Sequence, residues 1–85
     1  MNIYLQKNFI RGYKKLNKNQ KIKFKERRNL FIQDEFNPVL NNHALSGEYK
    51  GLRSISVTGD LRAVFKRTEN EAIFVAIDSH SNLYG

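Results

Sequence analysis

The chain has 85 residues, no cysteine and a net charge of +7. A chain this short buries only about 60–65% of its unfolded surface, so one domain of modest stability over residues 1–85 is expected, and a partner can matter to it. The missing cysteine excludes disulfides and Cys-ligated zinc. Gln6, Lys7 and Asn8 interrupt the N-terminus too early for a signal-peptide apolar region, and no run reaches membrane-span length. A soluble, cytoplasmic protein with no membrane partner is therefore expected.

Met1 to Leu5 reads as a short first strand. From about Gln6 to Leu16 the pattern is helical: Phe9, Tyr13 and Leu16 share one stripe flanked by Ile10, with Lys7, Arg11, Lys14, Lys15 and Lys18 opposite. Gly12 weakens this helix slightly. Asn17-Lys18-Asn19 breaks it, and a second helix is predicted from about Gln20 to Asp34. Phe24 and Phe31 form its narrow stripe, beside Leu30 and Ile32. Arg27 and Arg28 lie close to that stripe, so they must snorkel or point toward a ligand. Residues 1–33 carry ten lysines and arginines against one acid, a net of +9, while residues 34–85 carry five against seven, a net of −2. A basic half of this kind attracts a polyanion or an acidic protein, or is only a solvated helix surface. Charge alone does not separate RNA, DNA and an acidic partner.

Phe36-Asn37-Pro38 ends the helical hairpin, and Asn41 to Gly47 reads as a loop. Leu52 to Val57 then alternates, with Arg53, Ile55 and Val57 on one face and Leu52, Ser54 and Ser56 on the other. Thr58-Gly59 reads as a tight hairpin turn with Gly59 at positive φ. Leu61 to Arg67 is the next strand. Thr68-Glu69-Asn70 turns into a third, the apolar β-branched run Ala72 to Ile77. Three strands joined by short turns make an antiparallel meander. The class is α+β, β-α-α-β-β-β, an N-terminal helical hairpin packed on one face of a small antiparallel sheet.

The polar tail Asp78 to Gly85 leaves that last strand carrying one histidine and one tyrosine. Imidazole as a residue type titrates near neutral pH, and tyrosine is an apolar plate with a polar tip. The pair suits a proton-transfer group beside a ring that stacks on a base. His43 and His80, far apart in sequence and without a third ligand, do not suggest a metal site.

His43-Ala44-Leu45-Ser46-Gly47, Tyr49-Lys50-Gly51-Leu52-Arg53, Gly59 to Phe65 and Ser79-His80-Ser81-Asn82-Leu83-Tyr84 follow one another in the order and spacing of the RelE/ParE toxin superfamily. The chain resembles its YafQ-like branch over roughly residues 5–85. The resemblance implies a RelE-like microbial RNase fold and the toxin of a type II toxin–antitoxin pair. RelE and YafQ-like members cut messenger RNA in the ribosomal decoding site without a metal or other cofactor, whereas ParE members share the fold and poison DNA gyrase. A toxin fold that has lost catalysis and only binds is the third alternative.

By the same resemblance, His43, Asp60 and His80 match the family's catalytic set and Tyr84 its late aromatic, placed to stack on an unpaired base. Ser56 stands where the family has a second histidine. Arg62 falls where RelE-type toxins place a phosphate-binding arginine, with Arg53 or Lys66 as helpers. RNA cleavage by the 2′-oxygen needs a base, an acid and a stabilised phosphorane. His80 is the first choice for acid or base, and His43 or Asp60 its complement. The basic helices, Arg27 and Arg28 among them, add attraction to ribosomal RNA. The expected partners are messenger RNA on the ribosome and a cognate acidic antitoxin, partly disordered when free.

Overall fold

The structure is a computed structural model and describes residues 1–84. Along the chain these form β1 (Asn2–Leu5), α1 (Lys7–Lys14), α2 (Lys18–Gln33), β2 (His43–Ala44), β3 (Arg53–Ser56), β4 (Leu61–Arg67), β5 (Glu71–Ser79) and α3 (His80–Tyr84). Short 3-10 turns at Pro38–Leu40 and Gly47–Tyr49 flank β2. The strands make one sheet in the order β1-β5-β4-β3-β2.

The meander β3-β4-β5 is antiparallel as expected, but the sheet as a whole is mixed. β1 runs parallel to β5, from Asn2 opposite Glu71 to Leu5 opposite Phe74. A parallel pair needs a long connection, and the helical hairpin takes the chain to the far edge before the meander returns it beside β1. β2 is a further correction, because His43 and Ala44 pair with Ser54 and Arg53 instead of lying in a loop. Two residues carry no periodicity; only the long-range pairing makes them a strand.

The break between the helices falls earlier than expected. Asn17 caps α2: its side chain accepts from Gln20 N at 2.8 Å, and Gln20 Oε1 accepts from Asn17 N at 3.0 Å. This reciprocal capping box places Lys18 and Asn19 in the first turn of α2. Both helices lie on one face of the sheet. Phe9 of α1 and Phe24 and Phe31 of α2 meet Phe65 and Phe74. Ring centroids stand 5.0 Å apart for Phe9–Phe24 and Phe31–Phe65, and 5.2 Å for Phe65–Phe74. Such pairs contribute about 0.5–1.5 kcal/mol each beyond burial of their area.

A β-bulge explains why residues 72–77 do not alternate. Val64 pairs with Ala76 but Phe65 with Phe74, so Val75 has no residue opposite it. Ala72, Phe74 and Ile77 thereby all join the core. The Val75 carbonyl accepts from Asn8 Nδ2 of α1 at 3.0 Å. Gly12 is a contact residue as much as a weak helix former: a Cβ there would lie 2.8 Å from Ile77 O and 3.3 Å from Ile77 Cγ2. α1 can sit this close to β5 only because the side chain is absent.

Gly59 does not take positive φ; among the described residues Asn41, Gly47 and Gly51 do. The β3–β4 turn is closed by Thr58 Oγ1, which accepts from Leu61 N at 3.1 Å, and by Val57 N, which donates to Leu61 O at 2.8 Å. A side-chain hydroxyl does the work expected of a glycine torsion. At the other end of the sheet Arg67 forks onto Glu35 at 3.0 and 3.1 Å and also donates to the carbonyls of Thr68 and Glu71. Its hydrogen bonds to Glu35 push the guanidinium above its ordinary, already high range. The segment after α2 is thus tied to the β4–β5 turn. No helix among the described residues is long and apolar enough to cross a membrane.

Candidate active site

The sheet face turned away from α1 and α2 carries His43, Ser56, Arg62 and Lys66 of the residues singled out by sequence. Cross-strand register sets them in rows. His43, Ser54, Val64 and Ala76 form one row, and Ser56, Arg62 and Asp78 the next. Lys66, opposite Ile73, lies on the same face farther along. Ser54 and Val64 are completely buried there, so the centre of the sheet is covered on both faces.

Residues 80–84 of the polar tail form a capped turn of helix, and Gly85 lies outside the described residues. Ser79 Oγ accepts from Asn82 N at 3.2 Å, and Asp78 Oδ1 accepts from Ser79 N at 2.8 Å and Asn82 Nδ2 at 3.1 Å. His80 N donates to the Asp60 carbonyl at 2.9 Å, which ties the start of α3 to the β3–β4 turn. Buried Leu83 anchors the turn. The four-residue spacing stacks His80 against Tyr84, as expected for one helical turn; their ring centroids are 4.8 Å apart. The Tyr84 ring also meets Tyr49 edge-on at 5.7 Å.

His43, His80 and Tyr84 line one groove of about 450 Å³, floored by the segment from Ala44 to Tyr49. His43 Nδ1 lies 2.8 Å from the Asn41 carbonyl, which the left-handed backbone at Asn41 (φ 46°) presents. A carbonyl only accepts, so Nδ1 donates and Nε2 is left as the free acceptor of the neutral ring. Among the described residues three buried side-chain polar atoms have no partner, Ser54 Oγ, Arg62 Nη1 and Tyr84 OH, and of these residues Tyr84 lines the groove. Each can donate, and each buried group left unpaired costs about 1–3 kcal/mol. Ser54 and Arg62 are diagonal neighbours on adjacent strands, about 7–8 Å apart by sheet geometry.

The other residues singled out are placed elsewhere. Asp60 lines a neighbouring groove with Arg11 and Lys15. Arg53 pairs with core residue Phe65, so it faces the helices; its Nε donates to Asn42 Oδ1 at 2.8 Å, and its guanidinium lies over the Phe36 ring. Arg27 Nε donates to the Val57 carbonyl at 3.4 Å, and Arg28 donates to Asn29 Oδ1 at 3.3 Å. Ser54 went unnoticed in the sequence because a serine on an alternating strand reads as a solvent-side residue. Only the tertiary cover over that face makes its hydroxyl an unpaired buried group.

The model of a bacterial toxin family of type II toxin–antitoxin systems, YafQ, matches residues 1–85. The chain belongs to the YafQ family of type II toxins. Among solved structures it is similar to YafQ from E. coli strain BL21(DE3), with a TM-score of 0.84 and 24% identity over 99% of this chain and 98% of that one. It is also similar to a chain of the E. coli DinJ–YafQ toxin–antitoxin complex, with a TM-score of 0.81 and 25% identity over 99% and 97%. A YoeB/ParE toxin from Agrobacterium tumefaciens shares the fold, with a TM-score of 0.76 and 14% identity over 94% and 99%. No protein of curated function matches the chain. In this member of the YafQ family, the His43–His80 groove and the three unpaired donors belong to elements on either side of the β3–β4 turn.

Proposed function

We propose that this YafQ-family toxin is a single-domain messenger RNA endoribonuclease that works on the ribosome, without a metal. The observation that carries the reading is the shared groove of His43, His80 and Tyr84. His43 Nε2 takes the proton from a ribose 2′-hydroxyl as its Nδ1–H stays on Asn41. The 2′-oxygen forms a bond to phosphorus while the bond from phosphorus to the 5′-oxygen breaks. His80 delivers a proton to the leaving 5′-oxygen. The products are a 2′,3′-cyclic phosphate and a 5′-hydroxyl, and solvent exchange resets the two rings. Proton transfer by a placed side chain contributes about 10²–10⁴-fold.

Arg62, on the sheet face that carries His43, and Tyr84, which lines the groove, are the donors for the charge of the phosphorane. The Tyr84 ring is engaged by His80 and Tyr49, so its hydroxyl is the group it offers. Ser56, across from Arg62, replaces a family histidine with a shorter donor and lowers the rate. Lys66 extends the cationic face, and the basic helices, with Arg27 and Arg28, add sequence-independent attraction to ribosomal RNA. The toxin acts in the cytoplasm and is held inactive by an acidic antitoxin, as the existence of an E. coli DinJ–YafQ toxin–antitoxin complex suggests for this chain.

The test is direct. Purified protein is added to ribosomes programmed with a defined message, and cut ends are mapped. Cutting by the wild type and its loss in His80→Ala are expected. An intact message with the wild type overturns the reading.

A further inference from the structure

A histidine accepts a proton at Nε2 only when its neutral ring carries the proton on Nδ1. In water the neutral side chain favours the other tautomer. Inside a fold, the hydrogen bond made by one ring nitrogen settles the state of the other. For His43 that bond goes to the Asn41 carbonyl, 2.8 Å from Nδ1. A backbone oxygen two residues earlier reaches the ring because Asn41 is left-handed, at φ 46° and ψ 48°. Asn41 is the one non-glycine residue of positive φ among the described residues. Asparagine tolerates that region, whereas a β-branched side chain does not.

Asn41 is tied down on both sides. Before it, the 3-10 turn at Pro38–Leu40 starts on Asn37, whose Oδ1 accepts from Val39 N at 3.0 Å, and Leu40 is completely buried. Asn41 N closes that turn on the Pro38 carbonyl at 3.2 Å. After it, Asn42 uses both ends of its amide. Nδ2 donates to the Glu35 carbonyl at 3.0 Å, and Oδ1 accepts from Arg53 Nε at 2.8 Å. Both anchors are themselves held: the Glu35 carboxylate by the Arg67 fork, and the Arg53 guanidinium 5.5 Å from the centre of the Phe36 ring. β2, with two residues, supplies little order of its own. The residue before His43 is instead braced to the end of the helical hairpin and to β3.

We propose that Asn41 and Asn42 are positioning residues for His43: Asn41 fixes the ring with its proton on Nδ1, and the Glu35–Asn42–Arg53 brace fixes Asn41. The effect on cutting rests on the nuclease reading above; the tautomer stands without it. Arg53 thereby moves from the phosphate to the support of His43, in keeping with its place opposite Phe65 on the helix side of the sheet.

The test reads the ring directly. Protein labelled with ¹⁵N-histidine is studied by long-range ¹H–¹⁵N correlation spectra at mildly alkaline pH, where imidazole as a residue type is neutral. His43 should show Nδ1 protonated and Nε2 bare. Asn41→Gly keeps the left-handed region open, so it should preserve that tautomer and most of the cutting on programmed ribosomes. Asn41→Val closes the region. It should move the proton to Nε2 in a large share of molecules and slow cutting at least about tenfold, part of what a placed base contributes. Asn42→Ala removes both amide bonds and leaves Arg53 in place; it should shift the tautomer the same way. The His80 signals report that each variant is folded, and if Asn41→Val does not fold, Asn42→Ala decides. A wild-type His43 with its proton on Nε2 overturns the proposal, as does an unchanged tautomer in the folded variants. Equal slowing by Asn41→Gly and Asn41→Val overturns it too, because a left-handed glycine keeps the carbonyl in place. A wild type that cuts nothing sinks the nuclease reading alone, and the spectra still decide whether Asn41 sets the ring.

Discussion

Replacing Gly12 by alanine separates two opposed effects. Helix propensity favours alanine by about 1 kcal/mol, most of it the smaller freedom of the unfolded alanine backbone. Against this, the new methyl would stand 2.8 Å from a backbone oxygen of β5 and 3.3 Å from Ile77 Cγ2. Neither the carbonyl nor the strand behind it can swing away, so α1 must withdraw by roughly half an ångström from the sheet. Overpacking of that kind costs about 1–3 kcal/mol, and the withdrawal also loosens Phe9 against Phe24 and Phe74. We expect a net loss of about 1 kcal/mol, a fall of roughly 4–8 °C in melting temperature for a domain of this size. Thermal unfolding followed by circular dichroism at 222 nm reads it. An equal or higher melting temperature would refute the close-approach argument and leave helix propensity in control.

Arg67→Ala should lower stability by about 1–3 kcal/mol, because it strips a charge-assisted fork from Glu35; chemical denaturation checks it, and an unchanged midpoint would show that the fork does not hold the β4–β5 turn to α2. Tyr84→Phe and Ser54→Ala each remove a buried hydroxyl without a partner. Each should leave the melting temperature level or higher, while Tyr84→Phe slows cutting by about tenfold to a hundredfold. A clear loss of stability would mean the hydroxyl had a structural partner. Ser56→His should raise the cutting rate on programmed ribosomes by about tenfold, and no gain would remove that position from the chemistry.

Local pattern was enough for the elements that alternate or wind regularly. Phe9, Tyr13 and Leu16 announced α1, and Leu61, Ala63 and Phe65 announced β4, because one face of each is buried against the same core. What escaped were features created by distant parts of the chain. β2 exists through its partners on β3. β1 is parallel because of where the helical hairpin delivers the chain. Val75 falls out of register because β5 must present both Phe74 and Ile77 to the helices. Asn17 could have been read, since Asn followed by Gln three residues on is a capping signature. Nothing local marks Arg67 as the mate of Glu35, nor tells that Gly12 faces a carbonyl. The site shows the same division. His43, His80 and Tyr84 do meet in one groove. Asp60 and Arg53, similar in sequence prominence, go to another groove and to the helix side, and Ser54 gains its meaning only from the cover above it.

The end group left on the message bears most directly on the claim that two imidazoles drive attack by the 2′-oxygen. The 3′ ends of the upstream fragments, released from programmed ribosomes by the purified protein, are analysed by mass spectrometry. The account predicts a 2′,3′-cyclic phosphate upstream and a 5′-hydroxyl downstream. A 3′-hydroxyl facing a 5′-phosphate would contradict it, since that outcome requires water and not the neighbouring ribose as the nucleophile.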